Sequence, residues 1–182
     1  QIMFWKGRII EALQSYEKTI SGLEEFGDDT STLMGDGYMG RIYVINGRIA
    51  RGMGMMEAVY KKAVLLNLKE AAVFSSILYT HSCLEVGNID EAEKWIQRAF
   101  EYPDKIDNLM QQMADTCNAF IYYEKGDYDS SFECHKRIAD YPKDTGYPHI
   151  KSNWFFEYLY GLESRGYYYE KLNFNDVITE SI

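Results

Sequence analysis

Glycines recur at Gly7, Gly47, Gly87, Gly126 and Gly166, at intervals of 40, 40, 39 and 40 residues, within the similar segments WKGRIIEAL, INGRIARGM, EVGNIDEAE, EKGDYDSSF and SRGYYYEKL. Chance does not readily give four such steps, and a fixed period of this length marks a chain built from copies of one supersecondary unit. Five residues after each of the first four glycines comes a small side chain, Ala12, Gly52, Ala92 and Ser131. Two helices crossing closely need a small residue at the crossing, so the spacing predicts one tight packing contact per unit. Four residues on stand Tyr16, Met56, Ile96 and His135, then, three beyond, Thr19, Val59, Ala99 and Ile138, which is helical spacing along one buried face. Upstream of the glycines, Gly40, Thr80, Ala119 and Leu159 are seven residues before, and Tyr43, Cys83, Tyr122 and Leu162 four before. Each unit therefore reads as helix, glycine turn, helix.

The bulk properties agree with a folded helical protein. Prolines occur only at 103, 142 and 148, which leaves long intervals in which helices run uninterrupted. A formal charge of −9 argues against direct contact with nucleic acid, because that affinity rests on Lys and Arg displacing counterions. No apolar run reaches the ~18 to 20 residues that span a bilayer, and QIMFWKGRII lacks the layout of a secretory signal. The three cysteines, Cys83, Cys117 and Cys134, match no zinc or C-x-x-C spacing and read as core thiols in a reducing compartment. A cytoplasmic protein with no membrane contact is expected.

In the segments EVGNIDEAEKWIQRAFEYP (85–103) and EKGDYDSSFECHKRIADYP (124–142), and in GRIYVING (40–47), the chain resembles the tetratricopeptide repeat family. The family motif places a small residue and a Tyr before a glycine turn, then Ala, an aromatic and Ala, with Pro closing the unit. The resemblance covers most of residues 1–165, but the period is 39 to 40 rather than 34 and the first-helix Trp and Leu are mostly replaced. A period near 40 also belongs to HEAT-type repeats, although the glycine turn followed five residues later by Ala favours the tetratricopeptide pattern. The resemblance implies an all-α fold, a right-handed superhelical solenoid of antiparallel helix pairs. The expected divisions are 1–26, the second helix of a first unit, then units at 32–66, 69–103 and 108–142, and a partial or degenerate unit at 152–182. Because the chain opens in a turn and second helix, it is expected to be an excerpt of a longer protein, with self-association through uncovered array ends as a further expectation.

One motif competes with this reading. GDGYMG (35–40) spells G-x-G-x-x-G, the dinucleotide fingerprint, but that motif requires a buried strand before it and an acidic residue closing a second strand about 20 residues on. The flanking sequence alternates nowhere as a strand. In the repeat register Gly40 is instead the small residue of a first helix, with Gly35 and Gly37 at or before that helix's start. Candidate chemistry is otherwise thin. His81 and Cys83 point to different faces of a helix, Cys134 and His135 are adjacent and His149 stands alone, so no metal-ligand set, catalytic residue or cofactor site is expected.

The resemblance also implies that first helices line a concave groove, with the residue after the small position facing into it. Those residues are Arg41, His81, Phe120 and Tyr160; three further on come Val44, Leu84, Tyr123 and Glu163, and Phe156 lies one turn before Tyr160. Tyr and Arg are enriched where binding energy concentrates, so the expected partner-binding groove comprises Arg41, Val44, His81, Leu84, Phe120, Tyr123, Phe156 and Tyr160, holding a protein or peptide with an acidic group near Arg41. These residues could equally pack against adjacent repeats. The expected function is a non-catalytic protein- or peptide-binding scaffold inside a larger regulatory or signalling protein. The alternative is a ligand-sensing or oligomerising domain of a bacterial transcriptional regulator or another multidomain signalling protein.

Overall fold

A computed structural model of the chain describes residues 9–140. Among these residues it is all-helical, with seven α-helices and one 3-10 turn. They are α1 (Ile9–Phe26), α2 (Asp29–Ile45), α3 (Ile49–Leu65), α4 (Lys69–Glu85), α5 (Ile89–Phe100), the 3-10 turn Pro103–Lys105, α6 (Asn108–Glu124) and α7 (Tyr128–Asp140). Two compact units divide the chain, Gln1–Met110 and Gln111–Ile182. The first holds α1 to α5; the described part of the second is α6, from Gln111 onward, and α7.

Five of the helices, α1 to α4 and α6, stop because a residue just after each adopts the left-handed conformation. Gly27, Gly47, Gly87 and Gly126 have φ between 70° and 77°, and Asn67 has φ 57°. At the α2–α3 turn the Gly47 N–H donates to the Val44 carbonyl at 2.9 Å and the Arg48 N–H to the Tyr43 carbonyl at 2.8 Å, the paired bonds of a Schellman closure. The same pair recurs at Asn67 and Leu68, at Gly87 and Asn88, and at Gly126 and Asp127. Turns at 27, 47, 67 and 87 fall every 20 residues, half the period of the glycine motif. Asparagine is the residue besides glycine that best tolerates this backbone, so Asn67 makes the same turn without the glycine that would reveal it. The residue that closes one helix also opens the next. Asp28, Asn88 and Asp127 each accept a hydrogen bond from the N–H three residues on, at 3.0, 3.3 and 3.1 Å.

Short connections make α2 and α3 an antiparallel pair, and α4 and α5 another, while α4 packs on both α3 and α2. The predicted close crossing is present. Gly40 and Gly52 face each other so closely that a Cβ on Gly52 would run into the Gly40 carbonyl oxygen and come within 2.8 Å of the Val44 nitrogen. At the corresponding place in α4 and α5, Thr80 and Ala92 are fully buried. In the second unit, the Ser131 hydroxyl donates to the Ala119 carbonyl at 2.9 Å, a direct bond across the α6–α7 crossing. Met56, Ile96, His135, Val59, Ala99 and Ile138 are all buried, as the helical spacing predicts. Thr19 departs from that pattern: it is exposed, its hydroxyl bonded to the Ser15 carbonyl of its own helix at 2.8 Å. Tyr122 is exposed too, although its counterparts Tyr43 and Cys83 are buried. The three cysteines are buried free thiols, and burial pushes Cys83 up to about 12.

The G-x-G-x-x-G run lies wholly inside α2, which begins at Asp29 because the Asp28 carboxylate caps it. Gly35 and Gly37 are therefore mid-helix, not at its start. Each of the three glycines meets a different neighbour. A Cβ on Gly35 would stand 3.0 Å from Ile20 of α1, one on Gly37 3.3 Å from Leu78 of α4, and one on Gly40 2.9 Å from the Gly52 carbonyl of α3. The run serves a helix crowded on three sides, and its amides are consumed by helical hydrogen bonds rather than left free for a phosphate.

Candidate partner-binding face

Successive first helices α2 and α4 lie side by side in the first unit, so a residue on α2 neighbours its equivalent on α4 and that residue's next turn. Arg41 shows the consequence. Its guanidinium forks onto the Glu85 carboxylate with contacts of 3.0 and 2.7 Å, and the arginine is largely covered while Glu85 is 41% exposed. A two-pronged arginine–carboxylate contact fixes geometry as well as charge. The guanidinium also lies 3.5 Å from the Ser82 hydroxyl, which in turn donates to the Leu78 carbonyl. A carboxylate arriving from outside would have to displace Glu85, so Arg41 clasps two helices together before it offers anything to a guest.

His81 is half-buried beside this clasp. Burial, reinforced by the Arg41 charge, pushes its pKa down to about 3, so the imidazole stays neutral at ordinary pH. The unfolded chain binds a proton near pH 6.5 that the folded chain refuses until about pH 3. Between those values the protonated unfolded state gains, and stability falls as pH falls. Lowering the pH from 6.5 is therefore expected to cost at most about 1.4 kcal/mol per pH unit through this group. Urea denaturation at pH 6.5 and pH 5 checks it: His81→Gln should lose less stability over that interval than the unaltered chain, and an identical loss would remove His81 as the cause.

Val44 does not line an open face. It is 95% covered because its side chain lies over Gly52, where the absence of a Cβ lets α3 close in. Leu84 is half-buried on α4. In the second unit Phe120 and Tyr123 are half-buried, Phe120 edge-on to His135 of α7 with centroids 6.3 Å apart and Tyr123 edge-on to Tyr128 at 5.5 Å. Phe156 and Tyr160 lie outside the described residues. Within the first unit the structure thus brings Arg41, His81 and Leu84 onto adjoining first helices and removes Val44 to the interior.

Two features escape the sequence reading. Tyr16, Tyr38 and Phe74 form a run of rings across α1, α2 and α4, with centroids 5.9 and 4.9 Å apart, and burial raises the Tyr16 phenol to about 12. Trp95 is sandwiched between the Tyr79 ring, stacked at 3.9 Å, and the Arg98 guanidinium at 4.0 Å, with Tyr60 edge-on at 5.2 Å. Both follow from the packing of neighbouring helices in the first unit. In the second unit the buried Asp115 accepts from Arg137 at 2.9 Å and from Gln111 at 3.3 Å, and Arg137 also lies 3.1 Å from the Cys134 sulfur. Among the described residues no three His, Cys, Asp or Glu side chains converge as a metal-binding group, and no helix is long and apolar enough to cross a membrane.

Comparison of the chain with protein-family models, with curated proteins and with solved structures gave no match.

Proposed function

We propose that this chain is a tetratricopeptide-like helical scaffold, a right-handed solenoid whose first helices present a binding face to a protein or peptide, in a larger cytoplasmic regulatory or signalling protein. The reading assigns it no catalysis. The observation that supports it is the recurrence of one helix crossing, Gly40 with Gly52, Thr80 with Ala92 and Ala119 with Ser131, which gives each first helix the same relation to its second. With second helices behind, first helices side by side leave Tyr38, His81, Leu84 and Glu85 partly open along one face of the first unit. Because the Arg41 charge is spent on Glu85, this face offers a guest aromatic and apolar contact plus a neutral imidazole, rather than the anion anchor expected from sequence.

The test starts by recovering partners with the chain as bait and continues with their affinities for variants. Leu84→Ala and Phe120→Ala, on first helices, should weaken binding by about tenfold or more each, as truncated anchors do. Lys61→Ala and Lys136→Ala, on the exposed sides of α3 and α7, should leave it within about twofold. Equal losses from both sets, with all four variants folded by circular dichroism, would move the binding face elsewhere.

A further inference from the structure

The turn between α2 and α3, like the one at Leu68, lacks the side-chain cap that three sister turns carry. Where Asp28, Asn88 and Asp127 cap the helices that follow them, α3 starts at Ile49 behind Arg48, which makes no side-chain cap; its first turn carries a basic residue, Arg51, and no acidic one. Both arginines are exposed, and both are held against the same ring, Arg51 at 4.1 Å and Arg48 at 5.8 Å from the centroid of Tyr43. Arg41 and Arg137 have carboxylate partners; among the described residues Arg48 and Arg51 have none. Ile45 and Ile49, 40% and 44% exposed, flank the pair. Unpaired cations beside exposed isoleucines, in a chain of formal charge −9, form a surface suited to an acidic segment that also carries an apolar side chain.

The chain displays such a segment at the other end of α2. Phe26 is 89% exposed, the most open large apolar side chain described, and Glu25, Asp28 and Asp29 around it are exposed as well. The 17 residues of α2 hold the two turns about 25 Å apart, so they cannot meet within one molecule. We propose that the Arg48–Arg51 turn of one copy docks the Glu25–Asp29 turn of a second copy, with Phe26 seated between Ile45 and Ile49 and the carboxylates on the unpaired guanidinium groups. Two different surfaces meet in this contact, so it is head-to-tail, and the assembly as a whole keeps one free arginine turn at one end and one free acidic turn at the other. A contact between two turns is small, which makes the association weak and, being largely ionic, sensitive to salt.

Sedimentation equilibrium of the 182-residue chain tests this. The average mass should rise above 21.2 kDa with concentration at low salt and return towards it at about 0.5 M salt. The double variant Arg48→Glu/Arg51→Glu and the double variant Glu25→Lys/Phe26→Ser should each have an association constant lower by about tenfold or more. Mixed together they should form a one-to-one dimer and nothing larger, since the first retains an intact acidic turn and the second an intact arginine turn. If the charge-reversed arginine variant loses its helical circular dichroism, Arg48→Gln/Arg51→Gln takes its place with the same expected outcome. A chain that stays at 21.2 kDa throughout, an association untouched by either double variant, or a mixture that fails to dimerise would each overturn the proposal.

Discussion

Gly52→Ala is expected to destabilise the first unit by about 2 kcal/mol, while Gly54→Ala, two residues along the same helix, stabilises it by up to about 1 kcal/mol. The signs differ because of what each new methyl group meets. At Gly52 it would collide with the Gly40 carbonyl oxygen and lie 2.8 Å from the Val44 nitrogen and 2.7 Å from Val44 Cγ2. The first two are backbone atoms of α2 and cannot swing aside, so the helices must part, at a strain of about 3 kcal/mol. Alanine's better helix propensity returns about 1 kcal/mol of that. At Gly54 nothing stands within 4 Å and the position is exposed, so only the propensity gain remains. Urea denaturation followed by far-ultraviolet circular dichroism measures both. Equal stability for the two variants would mean that α2 and α3 do not cross at Gly40 and Gly52.

A larger loss, about 4 kcal/mol, is expected for Trp95→Ala. The indole is 98% covered and is held on both faces, by Tyr79 and by Arg98, with Tyr60 against its edge. Its Nε1–H donates to the Glu91 carboxylate at 2.9 Å, so truncation removes a hydrogen bond as well as the largest fully buried side chain among the described residues. Alanine would leave a cavity bounded by three helices fixed elsewhere along their length, which limits collapse. Trp95→Phe keeps much of the ring contact and loses the bond to Glu91, for a cost nearer 1 to 2 kcal/mol. The same denaturation experiment orders the variants. A loss below about 1 kcal/mol for Trp95→Ala would place the indole outside the core of α3, α4 and α5.

The helical class and the glycine turns could be read from the sequence because they depend on local rules. Gly47, Gly87 and Gly126 stand where the backbone needs positive φ, and the small residues Gly52, Ala92 and Ser131 stand where helices cross. The turn at Asn67 carries no glycine to reveal it, because asparagine satisfies the same backbone conformation. The repeat register puts Gly35 and Gly37 at or before the helix start, whereas the Asp28 cap begins α2 at Asp29 and leaves both mid-helix. The candidate face was less legible, because its chemistry depends on which helices adjoin. Positions 41 and 81 are one period apart, so Arg41 faces both His81 and the following turn, where Glu85 takes its charge. That pairing lies 44 residues apart, a period plus one helical turn, and the repeat itself contains the information needed to find it. Val44 departs from the expected face for a related reason: the glycine opposite it draws α3 inward and buries a position that stays half-open as Leu84 in the next repeat.

Amide hydrogen exchange at Gly35, Gly37 and Gly40, with and without a dinucleotide, is the most direct measurement of whether these glycines pack helices. In the helix their N–H groups are bonded to carbonyls four residues back and hemmed in by α1, α3 and α4. Slow exchange is therefore expected across the run, matching that of Ile42 and Tyr43 on the same helix and unchanged by NAD. Fast exchange at the three glycines that slows when NAD is added would contradict it, because free amides that become protected on binding are the behaviour of a phosphate-cradling loop.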